Sequence, residues 1–292
     1  MTRKHSTAFL IGVLLFQQVL GSLTFPVAKY GLTYIEPFTF ALYRFVISSI
    51  LLLIFVKLKR HAVPIEKSDI WKIIGLGIII IPFNQTLYLW GQSLTAAGHG
   101  SVLFATVPIW IAFTAMIHLK ERLSWRRGVG IVIAMGGVFV IVTGGAVEIG
   151  TEYLIGDLII LVAVIAWVYY TILGKPLVEK YGAVRITAYA LGSGSLIYLP
   201  FGIYMASKFD HAAVPVAAWW SVVYVAIGVS VFAYILWYWV LKYMEASRIA
   251  VFHNIQPVIA SGVAFIWLGE PMGLSFLAGG AVALVGVIVA EL

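Results

Sequence analysis

The chain has no cysteine and little charge: of its 292 residues only 11% are Asp, Glu, Lys or Arg, less than half the share in an average soluble chain, about 25%. The absence of cysteine excludes a disulfide-framed secreted scaffold. With 12 acids and 19 bases the chain cannot coat a water-soluble body of this size, so a soluble enzyme is excluded. A disordered chain is excluded too, because disorder needs polar sequence. What is present instead is apolar: 62% hydrophobic and 14% aromatic residues, with a mean hydropathy of +1.02.

A hydrocarbon core about 30 Å thick needs about 20 apolar residues per helix. Runs of that kind occur at 8–28, 37–56, 70–93, 100–119, 127–145, 157–174, 185–206, 218–241, 248–268 and 272–290, so ten transmembrane helices are predicted. The first is longer than the roughly 7 to 15-residue core of a signal peptide and is kept as a helix of the mature chain. Lipid-spanning strands alternate apolar with polar residues, whereas these runs are apolar on every side. The predicted class is an all-α integral membrane protein.

Bases set the orientation, because Lys and Arg collect in cytoplasmic loops. With the amino terminus inside, 16 of the 19 bases fall in inner segments; Lys29 and Lys208 are outer, and Arg44 lies about two turns inside the second span. Both termini are therefore expected in the cytoplasm of a bacterial-type inner membrane. The net charge of +7 is explained by this asymmetry without a nucleic-acid partner.

The sequence also repeats. A shift of 149 residues places Pro108 on Pro257, Glu121 on Glu270, Gly130 on Gly279, Ala134 on Ala283, Gly137 on Gly286 and Trp71 on Trp220, and near the start of each half a shift of 146 pairs Lys29 with Lys175. Five helices per half is an odd number, so the second half enters the membrane inverted. Inverted repeats are the sequence mark of secondary transporters, with the substrate site near the midplane between the halves.

The paired proline, the acid thirteen positions on and the glycine heading a small-residue helix resemble the EamA repeat of the drug/metabolite transporter superfamily. Along its full length the chain is similar to the YddG-type aromatic amino acid exporters in that superfamily. The resemblance implies two EamA-type five-helix repeats, 1–146 and 147–292, around a central cavity lined by spans 1, 3, 4, 6, 8 and 9. It also implies export of aromatic or other neutral amino acids by alternating access, with no cofactor. The partners expected are a small-molecule substrate and the lipid bilayer, and the state is a monomer or a homodimer. Four-residue spacing of Gly and Ala in spans 5 and 10 reads as a packing seam.

Polar and aromatic residues inside the other spans are the candidate substrate contacts. Gln17 and Thr24 share a face of span 1 with Gly21, and Asn84 and Tyr88 lie four apart in span 3, a spacing that aligns side chains on a helix. Trp110, Trp167, Tyr170 and Trp237, the last at the position matching Tyr88, lie too deep for an interfacial belt. His253 and Asn254 precede Pro257. Pro26, Pro82, Pro108 and Pro257 are the candidate hinges, since proline frees carbonyls that must find a partner or line a cavity. Each candidate has a plainer reading beside it: amides cross-link helices, and buried aromatics pack.

Every acid falls in a loop or at a helix end. A proton or sodium relay normally uses a buried Asp, Glu or His; no acid is buried at midplane and His253, which could titrate near neutral pH, is read as hydrogen-bonded structure, so passive or weakly coupled passage through a nearly uncharged aromatic cavity is expected. Arg44 is expected to snorkel or to pair with Glu36 near the outer surface. Proton-coupled export of other amphipathic metabolites or drugs is the alternative function. A channel would need a charge ring or carbonyl filter, and an intramembrane enzyme a catalytic pair or metal motif. The fragment Gly192-Ser193-Gly194-Ser195 has no such partner, so no catalytic residue and no metal ligand is assigned.

Overall fold

The computed structural model describes residues 5–58, 64–95, 100, 103–144, 153–268 and 274–291, and all regular structure among them is helical. Helix α1 (Thr7–Leu32) begins where the Ser6 hydroxyl accepts the Phe9 amide. In α2 (Pro37–Leu58) the Glu36 carboxylate accepts the amides of Phe38 and Thr39 at 3.0 and 2.8 Å, satisfying two of the donors a helix start leaves open. There follow α3 (Lys67–Leu94), α4 (Leu103–His118), α5 (Trp125–Gly144), α6 (Leu154–Tyr181), α7 (Ala183–Ser207) and α8 (Val216–Leu241). Gly182 at φ 85° joins α6 to α7, a backbone state that glycine adopts without strain. Helix α9 runs through Ala246–Ala250, a tight turn Val251–Asn254 and Ile255–Leu268, and α10 is Leu274–Glu291. Helices α1, α2, α3, α6, α7 and α8 are long and apolar enough to cross a membrane.

Large apolar side chains are exposed along the outer faces of the helices. Phe9, Phe16, Ile50, Trp125, Val132, Phe139 and Leu196 are exposed, an arrangement that water would punish by aggregation and lipid tolerates. Without a hydrophobic force between helices in lipid, close backbone approach supplies much of the packing. Helices α5 and α10 pack extensively on each other. A Cβ added at Gly130 would come within 2.6 Å of Ala290, and those at Gly137 and Gly286 would strike the backbones of Ala283 and Ala134. This is the seam expected from the spacing. A second crossing of the same kind, Gly77 in α3 against Ala190 and Gly194 in α7, was not anticipated. It accounts for the Gly-Ser fragment: Ser193 bonds the Ala190 carbonyl and Ser195 bonds Ser49 at 2.8 Å.

Several helices are broken. Helix α1 is interrupted at Leu23, three residues before Pro26. In α3 the stretch Ile79–Thr86, containing Pro82, is wound as π-helix. In α4 a turn at Thr106 precedes Pro108, and in α9 the tight turn ends three residues before Pro257. Helix α8 carries a second π-helical stretch, Val225–Ala233, with no proline. The two π stretches begin 146 residues apart, the same offset that relates Lys29 to Lys175.

The α5–α10 seam gives a direct test. Gly137→Leu drives a side chain into the Ala283 backbone and is expected to destabilise the protein by about 1–3 kcal/mol, the usual cost of overpacking. Gly136→Ala, which meets nothing within 4 Å, should change stability by about 0.5 kcal/mol or less. Thermal unfolding of the two purified variants in detergent measures the difference.

Candidate functional site

The breaks surround a cavity. It is lined by Gln17, Gly21, Thr24 and Phe25 of α1, Arg44 of α2, Gln85 and Tyr88 of α3, Phe104 of α4, Trp167 of α6, Val229, Ala233 and Tyr234 of α8, and His253 and Gln256 of α9. Its volume is about 70 Å³, room for a few waters at about 30 Å³ each. The wall is largely aromatic: Tyr88 meets Phe104 edge-on at 5.4 Å, Phe25 touches both, and Trp167 lies 5.3 Å from Tyr234. An amide chain closes one side. Gln18 donates to Gln17 and Gln256 donates to Gln18, both at 2.8 Å, tying α1 to α9.

Of the expected contacts, the structure brings Gln17, Thr24, Tyr88, Trp167 and His253 to this cavity. Asn84 lies elsewhere, fully buried and donating to the Ala163 carbonyl of α6 at 2.6 Å. The α-helical rule that put it on the Tyr88 face fails inside a π stretch, and Gln85 takes its place on the wall. Trp237 is also removed from the wall: its indole donates to Thr171 at 3.2 Å and its ring meets His253 at 4.7 Å. The residue 146 positions after Tyr88 is Tyr234, which does line the cavity. Tyr170 lies behind Trp167, stacked on Tyr238 at 4.7 Å. Asn254 is fully buried with neither side-chain polar atom paired. Trp110 is 38% exposed, on the outer face of α4.

Arg44 corrects the sequence reading. It does not reach Glu36, whose oxygens are taken by the Phe38 and Thr39 amides. Its side chain is buried to 1% exposure and its Nε donates to Ser230 at 2.8 Å. Ser230 in turn donates to the Val225 carbonyl, five residues back, a bond that the π winding provides. The cavity therefore holds a guanidinium and is not nearly uncharged. The signal available in sequence was an arginine well inside an apolar span.

The EamA-like transporter family model matches twice, over residues 9–143 and 154–291. The chain belongs to the EamA-like transporter family. This is a family of multi-pass membrane transporters. The chain is similar to an uncharacterized transporter of Archaeoglobus fulgidus, 29% identical over 91% of this chain and 92% of that one. It is 28% identical to the uncharacterized transporter YyaM of Bacillus subtilis, over 99% and 94% of the two chains. A "probable terminal-alkyne amino-acid exporter" of Streptantibioticus cattleyicolor is 33% identical over 70% of this chain and 67% of that one. A solved structure described as "Crystal structure of protein" shares the fold, with a TM-score of 0.79 at 17% identity over 98% and 97% of the two chains.

In this EamA-like transporter the first repeat's acid, Glu121, forms a knot between α4, α6 and the start of α9. Its carboxylate pairs with Lys175 at 2.9 Å and accepts the amides of Ala246 and Ser247 at 2.8 and 3.1 Å and the Ser247 hydroxyl at 2.8 Å. It thus caps, from a distant part of the chain, a helix start that Glu245 leaves without a side-chain cap bond. Lys175 also donates to the Met244 carbonyl, and Arg127 pairs with Glu245 at 2.6 Å and bonds Ser247. Lys120, just before Glu121, sits at φ 54°, a strained state for a side-chain-bearing residue that the knot holds in place. Lys29, the counterpart of Lys175, donates to the carbonyls of Gln92 and Thr95, and Thr95 precedes Met244 by the repeat shift of 149. Glu270, the counterpart of Glu121, lies outside the described residues.

Burial pushes the Glu121 carboxyl up, but the bonds from Lys175, Ala246 and Ser247 outweigh it and its pKa ends below the ordinary value. A depressed folded-state pKa gives stability that is present above the unfolded value, about 4.3, and is lost as pH falls through the folded value. The unfolding midpoint of the wild type is expected to lose this contribution below about pH 4. Glu121→Gln should start about 2 kcal/mol less stable at pH 7 and converge on the wild type in acid. Parallel melting curves at pH 3 and 7 check this.

Proposed function

We propose that this chain moves amino acids with aromatic or other apolar side chains out of the cell, by alternating exposure of the cavity to the two sides of the inner membrane. The observation that carries the reading is the aromatic wall itself, with Trp167, Tyr88, Tyr234, Phe25 and Phe104 around one small polar space. Such a wall suits a ring or a long apolar group, and the polar groups suit a head group. The amino-acid exporter among the relatives supports the class.

In this reading ten spans form two inverted five-helix repeats, 1–146 and 147–292, with both termini in the cytoplasm. The matching π stretches in α3 and α8 and the matching lysine–carbonyl bonds of Lys29 and Lys175 support the pseudo-symmetry. Pro26, Pro82, Pro108 and Pro257 are the points at which the helices bend, Gln17, Thr24, Tyr88, Trp167 and His253 contact substrate, and the working unit is a monomer or a homodimer. The cavity of about 70 Å³ is too small for a whole aromatic amino acid, so the halves must part as substrate enters. The knot around Glu121 then closes the inner side between turns. No carboxylate lines the cavity, and His253, which does, is packed edge-on against Trp237, which favours passage without strong proton coupling.

Efflux of labelled phenylalanine from sealed vesicles tests the proposal. Saturable efflux that is competed by tryptophan and unchanged by a pH gradient is expected. Trp167→Ala or Tyr88→Ala should raise the half-saturation concentration about tenfold, the equivalent of roughly 1.4 kcal/mol, and blur the preference for aromatic solutes. Linear, unsaturable flux, or unchanged transport in both variants, would count against it.

A further inference from the structure

The cavity is rich in hydrogen-bond donors with nothing to donate to. Arg44 Nη1, Trp167 Nε1 and the hydroxyls of Tyr88 and Thr24 are buried and have no partner, and all four side chains line the same space. An indole N–H and a guanidinium only donate. The two hydroxyls can also accept, as can an unprotonated His253 Nδ1, which is buried there without a partner as well, but the wall carries no anionic acceptor, and the Gln17 carbonyl oxygen is engaged by Gln18. Arg44 is held by Ser230 on Nε, by a hydrogen bond with Tyr234 and by the Phe45 ring 5.7 Å away. Nη1 is left without a partner. The position 146 residues on, in the second repeat, is Ala190, so the pseudo-symmetry supplies no second charge.

A buried guanidinium without a carboxylate partner is expensive, because the desolvation of the ion is not fully repaid. No described acid lines the cavity beside it: Glu36 caps α2, Glu66 and Asp69 pair with Lys180, Glu121 with Lys175 and Glu245 with Arg127. A carboxylate accepts charge-assisted bonds from arginine, and the unpaired Nη1 offers one. An ammonium, by contrast, needs acceptors or an acid, and this wall offers no acid.

We infer that Arg44 is the carboxylate-binding residue of the cavity, and that the site selects a carboxylate on an aromatic or apolar body without requiring an amine. The ligand class is then aromatic and branched monocarboxylates, including acids that lack the amino group, with amino acids as one subset. This rests on the cavity being the transport site, and it extends the substrate class beyond amino acids.

The experiment is a binding panel on the purified full chain by calorimetry, using phenylalanine, 3-phenylpropionate and phenethylamine. 3-Phenylpropionate should bind at least as tightly as phenylalanine, and phenethylamine at least about tenfold more weakly. Arg44→Gln should weaken both carboxylates by about tenfold or more and leave phenethylamine binding no weaker, since a buried cation repels the ammonium, while Arg44→Lys, which keeps the charge, should recover part of the loss. The wild-type panel decides even if Arg44→Gln does not fold. Phenethylamine binding as well as phenylalanine, phenylalanine binding without 3-phenylpropionate, or no binding by any of the three overturns the proposal. If 3-phenylpropionate binds through Arg44 while vesicles show no saturable phenylalanine efflux, the amino-acid reading fails and the carboxylate site stands.

Discussion

Inside a bilayer there is no water to take up a polar group that the protein leaves alone, and each one costs several kcal/mol unless another part of the chain meets it. This constraint runs through the structure. Glu36 meets the open amides of its own helix, and Glu121 meets those of a helix more than a hundred residues away. Lys29 and Lys175 each hold a carbonyl at a chain turn. Ser230 satisfies the Val225 carbonyl and Arg44 together. Against this background the unpaired donors of Arg44, Trp167, Tyr88 and Thr24 stand out, because they gather around one space.

The same constraint explains why the breaks and the cavity coincide. A helix can lose regular winding in lipid only where the freed groups face protein or a wet cavity. The π stretches of α3 and α8 put Gln85 and Tyr88 on one wall and Val229, Ala233 and Tyr234 on another. Single π turns are rare and recur at functional sites. Here Tyr88 and Tyr234 both reach the cavity, while the residue 146 positions after Arg44 is Ala190, so the space has one charged side.

The outline was legible because membrane helices announce themselves by length and apolarity. The span at 157–174 falls within Leu154–Tyr181, and the small residues at 130, 134, 283 and 286 mark a real seam. The wall was only partly legible, since it depends on angles that spacing alone does not carry. Nothing in the composition of Val225–Ala233 signals π winding, so a shift of 149 pointed to Trp237 where 146 leads to Tyr234. Asn84 was misplaced for the same reason, and Trp110 because depth along a helix says nothing of which side faces lipid. Arg44 was visible as a charge in an apolar span, but charge near an end reads equally as snorkelling.

The central claim is that the space beside Arg44 and Tyr88 lies on the route between the two sides of the membrane. Because the chain has no cysteine, a single thiol introduced at Val229 on the cavity wall is unique, and its reaction with a membrane-impermeant reagent can be timed from either side of sealed, oriented vesicles. The account expects labelling from both sides, slowed from both by saturating phenylalanine. Labelling from neither side, or a rate that phenylalanine leaves unchanged, would contradict it.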